Sequence, residues 1–138
     1  MIQLFDRTLH PLDIKVHILF MPVFSSAVWA LAENSELVTR MFSIKKYNGH
    51  YYKLYLTRQT IGEEIIVDNF FPHLPMDQTY FIDTKFNALW PVVLEKAYAK
   101  HRGSYEHIAT TPLQNILLDL TGYPVEVIEM KIRGRLSL

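Results

Sequence analysis

Cysteine is absent from the chain, and that removes three kinds of chemistry together: disulfide bridges, thiolate metal sites and sulfur nucleophiles. With no thiol to oxidise, the sequence identifies no redox compartment. Surplus charge is missing as well. Fourteen basic and 14 acidic residues leave a formal net charge of zero, so no global field steers the chain to nucleic acid or an anionic membrane. Nor does an apolar run reach the roughly 18 residues that a membrane-spanning helix needs. The opening Met1-Ile2-Gln3-Leu4-Phe5-Asp6 has no basic stretch ahead of an apolar one and does not read as a secretory signal. Internal repeats and low-complexity tracts are not found.

Apolar material is plentiful. With 49% hydrophobic residues and 13% aromatics in 138 residues, the chain supports a packed core and excludes intrinsic disorder. A chain of this size suits a single domain over residues 1–138, burying about two-thirds of its unfolded surface.

Periodicity predicts a mixed fold. Pro22 suits the first position of a helix, where a missing N–H costs nothing. Phe24, Ala27, Val28 and Leu31 then recur at helical spacing as one buried stripe. Asn34 or Ser35 is expected to cap a short helix carrying Leu37, Val38 and Met41. Tyr51 to Arg58 and Glu63 to Phe71 read as strands of an antiparallel hairpin turning through Gln59-Thr60-Ile61-Gly62. Tyr80-Phe81-Ile82 reads as a third strand. A helix is predicted from Leu89 to Lys100, closing near Gly103, with Pro91 tolerated in its first turn. Thr111-Pro112 predicts a third long helix, threonine as cap and proline first, its apolar face formed by Leu113, Ile116, Leu117 and Leu120. Val125 to Ile132 is expected to be extended. Helices packed on a small antiparallel sheet define an α+β domain.

Several segments carry a family resemblance. Phe20-Met21-Pro22-Val23-Phe24-Ser25-Ser26-Ala27-Val28-Trp29-Ala30-Leu31-Ala32-Glu33 resembles the start of the nucleophile helix of calpain-type cysteine proteases. Ala88-Leu89-Trp90-Pro91-Val92-Val93-Leu94-Glu95-Lys96-Ala97-Tyr98-Ala99-Lys100 is similar to that family's Leu-Trp-Pro helix. Gly103-Ser104-Tyr105-Glu106 resembles its Gly-Ser-Tyr-Glu turn, and Asp119-Leu120-Thr121-Gly122 its Asp-Leu-Thr-Gly. Ile66-Val67-Asp68-Asn69-Phe70-Phe71-Pro72 resembles its strand exit. The likeness covers roughly Asp13 to Met130 and implies the first of the two subdomains of a calpain core, an α+β arrangement.

The resemblance also implies that the catalytic parts are missing. Aligned without gaps through Ala27 to Glu33, the reactive cysteine falls on Pro22, which has no thiol, hydroxyl or titratable group. The oxyanion glutamine, six residues earlier in the family, falls on Val16, whose side chain donates nothing. Phe20-Met21 replaces the family's Gly-Asp. The family's histidine and asparagine belong to the second subdomain, which this chain is expected not to contain. The expectation is a pseudoprotease half-core and not an enzyme.

Ser25 and Ser26 lie on the same helix, but neither sits in a strained nucleophile elbow; helix packing or local capping accounts for both. Glu63 and Glu64 are adjacent, so on a strand they face opposite sides and form no dyad; both are expected in solvent. His101 and His107 lack the spacing of a helical zinc pair, while His10 and His17 flank Asp13. Scattered surface histidines are the better reading, and no metal or cofactor is expected. The resemblance implies a calcium site, of which Asp13 is a remnant, with Glu95 or Glu106 as a second carboxylate. Thr8-Leu9-His10-Pro11 lacks the glycine of the family's carbonyl-donating loop, and calcium wants six to eight oxygens, so the site is expected to be lost.

Partners are implied by what surrounds the degenerate site. Phe20, Met21, Pro22 and Trp29 replace reactive groups on a face that the resemblance pairs with a second subdomain. Lys131, Arg133 and Arg135 alternate, so an extended tail presents all three on one side, suited to an anionic contact; Lys45-Lys46 read as a solvated turn. The expected function is a noncatalytic scaffolding subunit of a larger cytoskeletal, ciliary or organellar assembly. The alternatives are a regulatory pseudoprotease that binds extended peptides, and a hydrolase with an unrecognised serine or metal centre.

Overall fold

The computed structural model describes residues 3–5, 8–16, 22–43, 51–71, 73–74, 78–79, 82–84 and 88–131. A 3-10 turn at Pro11–Asp13 is the first helical element described. His10 caps it by a reciprocal exchange: its Nδ1 accepts from the Leu12 N–H at 3.0 Å, and Asp13 Oδ2 accepts from the His10 N–H at 3.1 Å. Strand β1, Ile14–Val16, follows directly.

Helix α1 spans Pro22–Ala32 and begins at the proline, as its fixed φ favours. The expected stripe of Phe24, Ala27, Val28 and Leu31 is buried, joined by Ser25 and Ala32, whereas Ser26, Trp29 and Ala30 face outward. Asn34 then caps α2, Ser35–Thr39, its Oδ1 accepting from the Glu36 N–H at 3.2 Å.

Strands β2 (Tyr52–Arg58) and β3 (Ile61–Val67) form the antiparallel hairpin, with Leu54 opposite Ile65 and Arg58 opposite Ile61. Period-2 alternation turns Tyr52, Leu54, Leu56, Ile65 and Val67 into the core. The turn is tighter than the sequence suggests. Only Gln59 and Thr60 lie outside the strands, at φ 48° and 69°, the left-handed pair that suits a two-residue hairpin. Gly62 belongs instead to β3, where its missing Cβ matters: one built there would come 2.7 Å from Tyr55 Cε1. On the other side of β2, Phe42 bridges to Leu54 and the Tyr55 N–H donates to Met41 O at 2.7 Å. Among the described residues, β3 is therefore the outer strand.

The short strands β4 (His73–Leu74) and β5 (Gln78–Thr79) pair with each other, and β6 (Ile82–Thr84) pairs antiparallel with β1. The third strand thus lies later than expected and joins the N-terminal segment, not the hairpin. Tyr80 and Phe81 lie outside the described residues.

Helix α3, Trp90–Arg102, is the central element. Ten of its residues are buried, from Trp90 through His101, as befits a helix apolar on nearly every side. It ends at Gly103, whose φ of 102° is left-handed backbone that a side chain would strain. Immediately afterwards Ser104 caps α4, Tyr105–Ala109, by accepting from the His107 N–H at 3.2 Å. The Gly-Ser-Tyr-Glu segment is thus a helix start and not merely a turn.

Helix α5 runs Leu113–Thr121. Pro112 is its extended N-cap, so the helix starts one residue later than expected, and the Thr111 hydroxyl turns back to donate to His107 O at 2.6 Å. Residues 124–131 enter no strand, and Val127, Ile128 and Met130 stand exposed; Ile132 lies beyond the described residues. The α+β expectation holds: helices cover a small antiparallel sheet around a core of Trp90, Val93, Leu94, Ala97, Phe24 and Leu54.

Candidate functional site

Pro22 is the first residue of α1 and Val16 the last of β1, so both positions fall at element ends. His17, Phe20, Met21, Lys45, Lys46, Arg133 and Arg135 lie outside the described residues. Trp29 stands 42% exposed on α1, and Lys131 is exposed near the end of the irregular C-terminal segment.

The serines of α1 have opposite environments. Ser26 is exposed, and Ser25 is buried with no hydroxyl partner among the described residues. No described histidine hydrogen-bonds either one. Asp13 is buried and serves the fold: its Oδ2 accepts from the Trp90 indole N–H at 3.0 Å as well as from His10. Glu95 is buried inside α3, whereas Glu106 is exposed on α4. Among the described residues, no three histidines, aspartates or glutamates gather in a way that could hold a metal ion.

The histidines are not all on the surface. His10 and His107 are exposed and serve local backbone contacts, but His101 is 1% exposed. Its Nδ1 lies 2.9 Å from Glu63 Oε2 and its Nε2 lies 3.7 Å from Asp119 Oδ2. A neutral imidazole can donate to only one of these carboxylates, a protonated one to both. Glu63 is accordingly not a free solvated carboxylate. It also faces Arg58 Nε at 3.6 Å, while its neighbour Glu64 pairs with Lys53 at 3.3 Å on the other side of the hairpin.

Around His101 a buried network forms that the sequence reading missed. Tyr98 donates its hydroxyl to Asp119 Oδ2 at 2.8 Å, Arg102 Nη2 contacts the same oxygen, and Arg102 Nε donates to the Tyr98 oxygen at 3.1 Å. Arg58 Nη2 reaches the His101 carbonyl. Burial pushes the Asp119 carboxyl upward, but donors from His101 and Tyr98 and the Arg102 charge outweigh it and hold the group below the usual carboxylate range. Burial raises the Tyr98 phenol far above the ordinary tyrosine value, and Asp119 pushes in the same direction against Arg102. One signal was available in sequence: Tyr98, His101 and Arg102 are spaced i, i+3 and i+4, so α3 presents all three on one face.

A second cluster ties α3 to the exit of β3. Lys96 Nζ contacts Asp68 Oδ1 and the Phe70 carbonyl and lies 5.5 Å from the centre of the Phe71 ring. The Lys96 hydrogen bond and the Phe70 N–H hold the Asp68 carboxyl below its usual value. The Val-Asp-Asn-Phe-Phe stretch is thereby fixed against the central helix.

An α+β domain with a proline-headed first helix, a buried Trp-Pro helix and an Asp-Leu-Thr-Gly helix exit is a calpain-type core. The model for the calpain family of cysteine proteases matches residues 2–137. The chain is 37% identical over 112 residues to the calpain-type cysteine protease DEK1 of Zea mays, covering 78% of this chain and 5% of that protein. It is 29% identical over 105 residues to calpain-14 of Homo sapiens, covering 72% of this chain and 15% of that protein. Calpain-10 of Mus musculus is 31% identical over 106 residues, again 72% of this chain and 16% of that protein. The chain belongs to the calpain cysteine protease family and corresponds to the first subdomain of its core. It spans under a fifth of the length of these curated relatives.

Proposed function

We propose that the chain is a noncatalytic calpain-like unit, one domain over residues 1–138, that binds other proteins and contributes structure to a larger assembly. The observation that carries this reading is Pro22 at the head of α1. A pyrrolidine ring offers no nucleophile, and with no cysteine anywhere in the chain no neighbour can provide a thiolate. The same helix turns Trp29 outward, and half-exposed tryptophans are the side chains that interfaces use as anchors. Phe20 and Met21 immediately precede it in sequence. Lys131, Arg133 and Arg135 supply a basic contact for an acidic partner.

The test has two arms. Protein purified to homogeneity, incubated with casein and fluorogenic peptides with and without calcium, is expected to cleave nothing. Cleavage abolished by Ser25→Ala or Ser26→Ala would instead establish a serine hydrolase. The endogenous protein, tagged and examined by native mass spectrometry, is expected in a stoichiometric complex that Trp29→Ala weakens. A protein that runs alone, or a complex indifferent to Trp29→Ala, removes the scaffold reading.

A further inference from the structure

The outer side of the buried network opens into a cavity of about 440 Å³ lined by Arg58, Gln59, Arg102, Asn115, Leu118 and Asp119. A second cavity of about 370 Å³ adjoins it across Asn115 and Leu118 and runs on to Thr60, Gln114, Pro124 and Val125. Together they form one trough along α5, bounded by the hairpin tip and the start of the C-terminal segment. None of the residues at the head of α1 lines it.

The trough changes character along its length. At one end stand two guanidiniums, each anchored through Nε and Nη2: Arg58 on Glu63 and the His101 carbonyl, Arg102 on Tyr98 and Asp119. Among the described residues neither Nη1 has a protein acceptor, so each side chain is fixed yet keeps donors for a guest. The Asp119 carboxylate at the floor is 5% exposed and already receives Tyr98 and Arg102. Gln59, Gln114, Asn115 and Leu118 line the middle, and Pro124 and Val125 the far end.

Charge counting decides what fits. The lining sets Arg58 and Arg102 against Asp119, one surplus positive charge that the Arg58–Glu63 pair weakens, enough to favour an acidic group on a guest but too little to retain a small free anion. A guest carboxylate gains hydrogen bonds from the Nη1 groups, and it needs further contacts to stay. An extended peptide provides them: main-chain groups for the amides and an apolar side chain for the far end. We propose that this trough docks an extended segment of a partner protein, seating an acidic side chain between Arg58 and Arg102 and an adjacent apolar side chain against Leu118, Pro124 and Val125.

The test is a titration of the isotopically labelled 138-residue chain with the acetylated, amidated peptide Leu-Ala-Glu-Ala-Leu, followed by nuclear magnetic resonance. Saturable shifts are expected at the Arg58 and Arg102 Nε–H groups, the Asn115 side-chain amide and the Leu118 backbone. Replacing glutamate by glutamine in the peptide is expected to weaken binding about tenfold or more, the loss of a charge-assisted bond pair. Succinate alone is expected to shift none of these signals. Arg58→Ala and, independently, Asn115→Asp are each expected to weaken the glutamate peptide by about tenfold. The second variant adds a repelling charge near the start of α5, where an acidic side chain favours the helix, so folding is retained. The proposal fails if the peptide shifts none of these groups, if glutamine binds as well as glutamate, if succinate alone saturates the site, or if Asn115→Asp leaves the affinity unchanged.

Discussion

His101 Nδ1 meets Glu63 Oε2 at 2.9 Å, and this contact joins the last turn of the central helix to the outer strand of the hairpin. Removing the ring leaves Asp119 and Glu63 each without one neighbour and opens a buried void. His101→Ala is therefore expected to lower the unfolding free energy by about 1–3 kcal/mol, from the void and the lost charge-assisted contact together. Urea denaturation followed by circular dichroism measures it, and a change below a few tenths would show that the contact is incidental.

Asp119 and Tyr98 set opposite limbs of the stability profile. The folded Asp119 carboxyl titrates below its unfolded value of about 3.9, so its contribution is full above that pH and is lost as acid takes the pH down through the folded value. Asp119→Asn is expected to destabilise at neutral pH and to flatten the dependence below about pH 4. The Tyr98 phenol, raised in the folded state, contributes below about pH 10 and loses that contribution as pH climbs toward its folded value. Tyr98→Phe should flatten the alkaline limb. Thermal melts across the pH range decide both, and unchanged slopes in the variants would contradict the assignment.

Trp90 illustrates a polar contact inside an apolar core. Its indole N–H donates to Asp13 at 3.0 Å while the side chain is fully buried. Trp90→Phe keeps most of the apolar surface but takes a donor from a buried carboxylate, for an expected loss of about 1–3 kcal/mol. Trp90→Ala should cost more, about 3–5 kcal/mol. A Trp90→Phe protein as stable as the unsubstituted one in denaturant melts would show that the hydrogen bond contributes nothing.

At the hairpin tip, Thr60 holds φ at 69°, a region that a β-branched side chain enters at a cost. Thr60→Gly removes that strain and is expected to stabilise by about 1 kcal/mol, seen as a raised melting temperature. A lowered one would mean that the Thr60 side chain has a compensating contact.

How far the sequence was legible depends on the range of the interactions involved. Local signals read well: proline at the head of α1, Asn34 as a cap, the alternation of β2 and the glycine exit of α3 all act within one turn or one pair of strands. Sequence extends the hairpin turn too far because glycine normally marks the bend, whereas Gly62 serves the Tyr55 ring. The Thr-Pro motif points to Thr111 as a cap, which a hydrogen bond to His107 overrides. Nothing local marks His101 as buried, because Glu63, which meets its ring, is 38 residues away in sequence. Pairing of Ile14–Val16 with Ile82–Thr84 is longer in range still. The trough beside α5 carries no sequence signal, because it is assembled from the hairpin tip, two helices and the C-terminal segment.

Lysines guard the outer strand. Lys100 Nζ donates to the Ile66 carbonyl at 2.7 Å, and Lys96 reaches the Phe70 carbonyl just beyond β3. A strand margin with open carbonyls invites another chain to zip onto it, and amines already bonded to those carbonyls oppose such a visitor. Acetylating Lys100 would weaken its hold on the Ile66 carbonyl and loosen that block.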